Sequence, residues 1–160
     1  MRVIHGHRMR MSGQQLPEYW DREPLRRLKT MSPSARAKFD KQLEIVMAKL
    51  PAQVTRLLES TPLWVEDYPP DKILAEEQIE YRDDLAGLYE GIASTEASLE
   101  DPPHLNRISI YREGIVAMAT DEQGRVRLGE LRRQIRITIL HEVGHHFGLD
   151  EGDLDALGYG

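Results

Sequence analysis

Apolar residues recur at positions 131, 135, 139 and 143, with a second row at 137, 140 and 147. This is the spacing of a 3.6-residue repeat, and it predicts a helix with two apolar flanks. Between the flanks runs a polar stripe of Gln134, Thr138, His141 and His145. A helix buried on both sides leaves that stripe little water, so imidazoles there are costly unless something binds them. Earlier in the chain, Ser32 before Pro33 marks a helix start, Ala35 to Leu50 forms its body and Pro51 ends it. Its apolar positions 39, 43, 46, 47 and 50 share one face, which is expected to pack on a sheet. Ala52 to Glu59 reads as a continuation of helix.

Four stretches carry strand signals: Leu63-Trp64-Val65, Leu85 to Ile92, Arg107 to Arg112 and Ile115 to Ala119, the last two joined by a hairpin turn at Glu113-Gly114. The region 107 to 119 is expected to offer an edge strand that could hold an extended substrate by backbone pairing. Glu66 to Pro70 reads as a rigid loop and Ala93 to His104 as a longer one. The highly charged stretch 71 to 84 reads as an exposed, mobile segment rather than a site, with a lid as the alternative. The fold class is α+β: a compact core in which a small, mostly antiparallel sheet packs against the histidine-bearing helix and an N-terminal helix.

The polar stripe ends in His141-Glu142-Val143-Gly144-His145. Residues four apart on a helix lie one turn above each other, so His141 and His145 can hold one cation together. Glu142 shares their face only partly. That suits a general base, a group that holds the activated water rather than the metal. Two imidazoles leave a catalytic zinc one protein ligand short. Gly148 is the residue type that most easily takes the left-handed turn that ends a helix and returns the chain. The return brings Asp150, Glu151, Asp153 and Asp155. Glu151 falls on the last position of the pattern His-Glu-x-x-His-x-x-Gly-x-x-ligand and is the expected third ligand. In the alternative, Asp150 ligates and Glu151 caps the next short helix. His146, turned by about 100° from His145, is expected to pack or hydrogen-bond beside the site. The motif points to a metal-activated hydrolase with one Zn2+ per chain.

Composition narrows this further. The chain has 160 residues, the size of one domain, and no cysteine, so a zinc ion must be held by nitrogen and oxygen. Residues 1–30 hold seven Lys or Arg against three Asp or Glu, a surplus of four that leaves the remainder at −10 out of a net −6. They read as a basic, solvated extension ahead of a domain at 31–160, and the acidic remainder argues against nucleic-acid binding by that domain. The leader has no apolar core like that of a secretory signal, and no stretch is long enough to span a bilayer, so a cytoplasmic protein without a membrane role is expected. His5 and His7 make at most a weak metal signal, and His104 reads as a surface loop residue. Tyr89, Tyr111, Arg112 and Tyr159 are of the types that stabilise an oxyanion, but nothing in the sequence chooses among them.

Several segments together resemble the minimal zincin-like metallopeptidases, small bacterial and archaeal proteins, over roughly residues 31 to 158. They are Leu50-Pro51, Val65-Glu66-Asp67-Tyr68-Pro69, Gly87-Leu88-Tyr89-Glu90-Gly91-Ile92, Ile110-Tyr111-Arg112 and His141 through Glu151. The resemblance implies a compact zincin core, with His141 and His145 as zinc ligands and Glu142 as base. The family's third-ligand position usually holds an aspartate, and Glu151 stands in that register, one methylene longer. The function expected is zinc-dependent hydrolysis of a peptide or protein substrate. The competing expectation is a non-catalytic interaction module with a structural or absent metal, in which Asp150 or Asp153 would close a fourth position.

Overall fold

A computed structural model describes residues 3–8 as backbone, and residues 30–91 and 106–159 in full. The leader from residue 9 to 29, the loop at 93 to 104 and His104 lie outside the described residues. The elements are β1 (Val3–Arg8), α1 (Pro33–Met47), α2 (Ala52–Ser60), β2 (Leu63–Glu66), α3 (Asp71–Glu76), a 3-10 turn (Arg82–Asp84), β3 (Leu85–Gly91), β4 (Arg107–Tyr111), α4 (Arg112–Met118), α5 (Leu128–His146) and α6 (Glu151–Ala156). The four strands lie in the order β1-β3-β4-β2. β3 runs antiparallel to both neighbours, and β2 is parallel to β4. The fold is α+β. No helix among the described residues is long and apolar enough to cross a membrane.

The expected helix at 131 to 147 is α5. Its buried row Leu131, Ile135, Ile139 and Val143 joins Tyr89, Ile108 and Ile110 of the sheet in the main core. The ladder sets Gly87 opposite Ile110 and Tyr89 opposite Ile108, so these four share the face that α5 covers. Phe147, assigned to the second apolar row, is instead 47% exposed at the helix end.

α1 begins as expected, with the Ser32 hydroxyl accepting from the Ala35 N–H and Pro33 in the first turn. Its apolar face carries Phe39 and Val46 into the main core. That face packs chiefly on α5, not on a sheet, because α5 already covers this side of the strands.

Two further expectations are corrected. Ile115 to Ala119 is not the second arm of a hairpin: the chain turns helical at Arg112, and β4 lies between β3 and β2, so the region 107 to 119 offers no edge strand. Tertiary contacts override the β-branched residues here. The Glu113 N–H donates to the Asp67 carbonyl at 2.9 Å, and the Glu113 carboxylate meets Arg82 at 2.6 Å. Arg112 bonds Asp40 at 2.8 Å and Asp67 at 3.1 Å, tying α1 and the loop after β2 to the start of α4.

The charged stretch 71 to 84 is also folded. Ile73, Leu74 and Ile79 are buried with Leu85, Leu88 and Tyr111 in a second cluster on the other side of the sheet. Every few residues an aliphatic side chain turns inward, and the charges face water. Within the leader, Val3–Arg8 forms a strand where the sequence offered none. Gly6 and two histidines in six residues carry little strand signal, so the pairing is imposed by the edge of β3.

α4 rests on β3 at Gly114, where a Cβ would lie 2.3 Å from the Leu85 carbonyl oxygen. Gly114→Ala is expected to cost about 1–3 kcal/mol through overpacking of backbone on backbone, measured by urea unfolding. An unchanged midpoint would contradict this helix-on-strand contact.

Candidate metal centre

Burial is the first property of the site. His141 and Glu142 have no exposed surface and His145 has 3%, so each ring nitrogen needs a partner inside the protein. The Nδ1 of His141 lies 2.6 Å from the Tyr159 carbonyl, and the Nδ1 of His145 lies 3.0 Å from the Leu149 carbonyl. A carbonyl can only accept, which assigns the proton of each neutral ring to Nδ1. Both Nε2 atoms then carry lone pairs, and they face each other at 3.0 Å. Glu151 Oε1 lies 3.2 Å from His145 Nε2 and 3.6 Å from His141 Nε2. The three donor atoms lie within 4.8 Å of one another.

Two imidazole nitrogens and a carboxylate oxygen that converge on one spot form a group that can hold a cation. Two nitrogens and one carboxylate oxygen are donors that zinc accepts, and the carbonyl partners at Nδ1 are the usual support of ligating histidines. The donor set therefore fits the ion. Glu151 is half exposed, which leaves the centre open to solvent on that side.

The return of the chain explains how the acid reaches the histidines. Gly148 takes a left-handed conformation, φ 79°, directly after α5. Leu154 of α6 then packs on the bare backbone of Gly144, where a Cβ would meet its Cδ2 at 2.4 Å. Asp150 is the N-cap of α6: its Oδ1 accepts from the Asp153 N–H at 2.9 Å, and Asp153 Oδ2 accepts from the Asp150 N–H at 3.2 Å. This reciprocal cap occupies both aspartates and leaves the next residue, Glu151, beside the imidazoles. Asp150, the alternative weighed from the sequence, is thus at the cap and not among the converging donors.

Glu142 is one residue round the helix from His141 and lies against β3. A Cβ at Gly87 would come within 2.7 Å of both Glu142 Oε1 and Thr138 Cγ2, so only glycine allows α5 this close to the strand. His146 sits beside the site as expected. Its Nδ1 lies 3.3 Å from the Tyr89 hydroxyl, which donates to Asn106 Oδ1 at 3.1 Å. Burial lowers the His146 pKa and pushes the Tyr89 hydroxyl up to about 12, so both are held neutral. Tyr111 lies in the second core cluster and Arg112 is engaged with Asp40 and Asp67, so neither is at the centre.

The family model for the zincin-like metallopeptidases matches residues 58–160, well over half of the chain. This chain belongs to the zincin-like metallopeptidase family. Comparison with curated proteins finds no match. The zincin-like span begins within α2 and takes in the strands β2 to β4, α5 and the return through α6, so His141, His145 and Glu151, the group that could hold a metal, all fall inside it. β1 and α1 fall outside. Sequence reasoning missed the carbonyls of Leu149 and Tyr159, which carry no side-chain signal. It also passed over Gly87, whose place within a strand does signal a close approach.

If the aspartate pair acts as a cap, Asp150→Ala is expected to destabilise the metal-stripped protein by about 1 kcal/mol, and Asp150→Asn to restore most of that. Thermal unfolding in the presence of chelator checks it. Equal midpoints for the Ala variant and the parent would contradict the capping role.

Proposed function

We propose that this zincin-like domain is a zinc-dependent peptidase, with His141, His145 and Glu151 as zinc ligands and Glu142 as general base. The observation that carries the reading is the pair of buried imidazoles whose Nδ1 atoms are engaged by carbonyls, so that both Nε2 lone pairs are turned on one spot beside a carboxylate. Membership of a metallopeptidase family supports the same chemistry.

Zinc in such a site supplies Lewis-acid polarisation of a carbonyl and a bound water of lowered pKa. The protein supplies the rest. The Leu149 and Tyr159 carbonyls hold the two rings in the ligating tautomer, and the capped start of α6 holds Glu151 beside them. Glu142, next in the chain to His141, accepts the proton of the attacking water and returns it to the leaving amine. The contact with Gly87 fixes its carboxylate against β3, so little reorganisation is needed during transfer. The substrate is an extended peptide or protein segment that enters from the open Glu151 side. The chain is expected to act in the cytoplasm.

The competing reading, a structural metal in a non-catalytic module, has less support. A closed site would need a fourth protein ligand, and the two candidates, Asp150 and Asp153, bond to each other's backbone in the α6 cap.

Stripped protein reloaded with zinc and desalted is expected to retain about one equivalent, and the His141→Ala, His145→Ala variant none. Glu151→Ala should weaken retention where Asp150→Ala does not. Glu142→Gln should keep the zinc and lose about 10²–10⁴-fold in peptide cleavage. A parent chain that retains no zinc, or a Glu142→Gln variant that cleaves as fast as the parent, would sink the proposal.

A further inference from the structure

β3 is the strand that borders the buried glutamate, through the contact of Gly87 with Glu142. One of its edges pairs with β4. The other is covered by β1, antiparallel, from Val3 opposite Gly91 through His7 opposite Gly87 to Arg8 opposite Leu85. β1 also borders α5. A six-residue extended segment of this chain therefore lies along the strand that Glu142 touches, beside the helix that carries His141, Glu142 and His145. An extended peptide held by backbone pairing would take the same pose, and a strand can accept only one neighbour on each edge. The peptide and β1 cannot both be there.

β1 is also a weak strand. Gly6 stands in its interior, where a missing side chain and a freer backbone both disfavour extended structure. Its pairing with β3 shifts register between His7 and Arg8. Like α1, it lies outside the residues matched by the zincin-like family model.

We propose that Val3–Arg8 is a built-in occupant of the peptide-binding edge of β3, and that an extended substrate must displace it to reach the metal centre. The word substrate rests on the peptidase reading above; the competition for the edge does not. A tethered strand competes at an effective concentration on the order of millimolar, so it raises the apparent KM and leaves kcat unchanged. The N-terminal segment then sets how readily this enzyme accepts a peptide, and whatever draws the segment away activates it.

The test uses the full-length, zinc-loaded chain with Ile4→Pro and His5→Pro together. Neighbouring amides of a strand point to opposite sides, so one of the two prolines removes a donor to β3 wherever the ladder bonds fall. The probe is a fluorescent hexapeptide with the sequence of residues 3–8. In a Glu142→Gln background, where cleavage does not interfere, the proline pair is expected to tighten probe binding about tenfold. With Glu142 intact, the same pair should lower KM for peptide cleavage without changing kcat. Unchanged probe affinity overturns the proposal. So does loss of cooperative unfolding in the proline variant, which would make β1 an integral strand rather than a displaceable one. Tighter probe binding with no cleavage by any variant would leave the edge assignment standing and remove the peptidase reading. Cleavage with equal KM in both chains would do the reverse.

Discussion

Two histidines with almost no exposed surface hold four ring nitrogens inside the protein, and each buried nitrogen left without a partner costs about 1–3 kcal/mol. His141 and His145 meet this constraint in a way that shapes the rest of the molecule. Their Nδ1 atoms are engaged by the carbonyls of Tyr159 and Leu149, both from the chain that follows α5. The turn at Gly148, the seating of Leu154 on Gly144 and the cap at Asp150 bring that chain back. The same return sets Glu151 against the two Nε2 atoms. The fold of the C-terminal segment and the convergence of the three donors therefore depend on the same contacts.

The opposite side of α5 is fixed by the sheet. Gly87 lets the helix settle on β3 with Glu142 and Thr138 in contact with its backbone. One turn beyond Glu142, His146 meets the Tyr89 hydroxyl, and burial holds both neutral. Ion pairs lock the outer elements: Arg112 joins α4 to α1 and to the loop after β2, and Arg82 joins the 3-10 turn to α4. The two imidazoles and the glutamate thus come from a rigid, buried helix, and the third donor comes from a short, exposed one. Two of the three converging donors are thus held by packing, and the third leaves the group open toward solvent.

β1 adds a feature that belongs to this chain more than to the family span. It closes the edge of β3 beside the histidine-bearing helix α5, using backbone groups that carry no residue preference. Pairing of this kind is transferable: a strand of any sequence that can extend can make it. This is why a weak segment can hold the edge when it is tethered nearby and still give way to a competitor.

The sequence by itself determined the local features. The 3.6-residue repeat located α5, Ser32-Pro33 and Pro51 bounded α1, Gly148 marked the return, and the four-residue spacing put His141 and His145 on one face. Each depends on side chains within a turn or two of one another, so the information is present in a short window. Tertiary structure alone decided the rest. Arg107 through Ala119 has the apolar content of a hairpin, yet becomes strand then helix because Asp67, Arg82 and Leu85, distant in sequence, receive Glu113 and Gly114. The stretch 71 to 84 looks solvated by its charges, yet three aliphatic side chains anchor it under the sheet. Spacing favours Glu151 over Asp150 at the third position, but the reciprocal cap that ties Asp150 to Asp153 is set by the folded turn. The acceptors for Nδ1 and the strand on the edge of β3 are backbone groups. Every residue has them, so no pattern of side chains could announce which ones the fold would use.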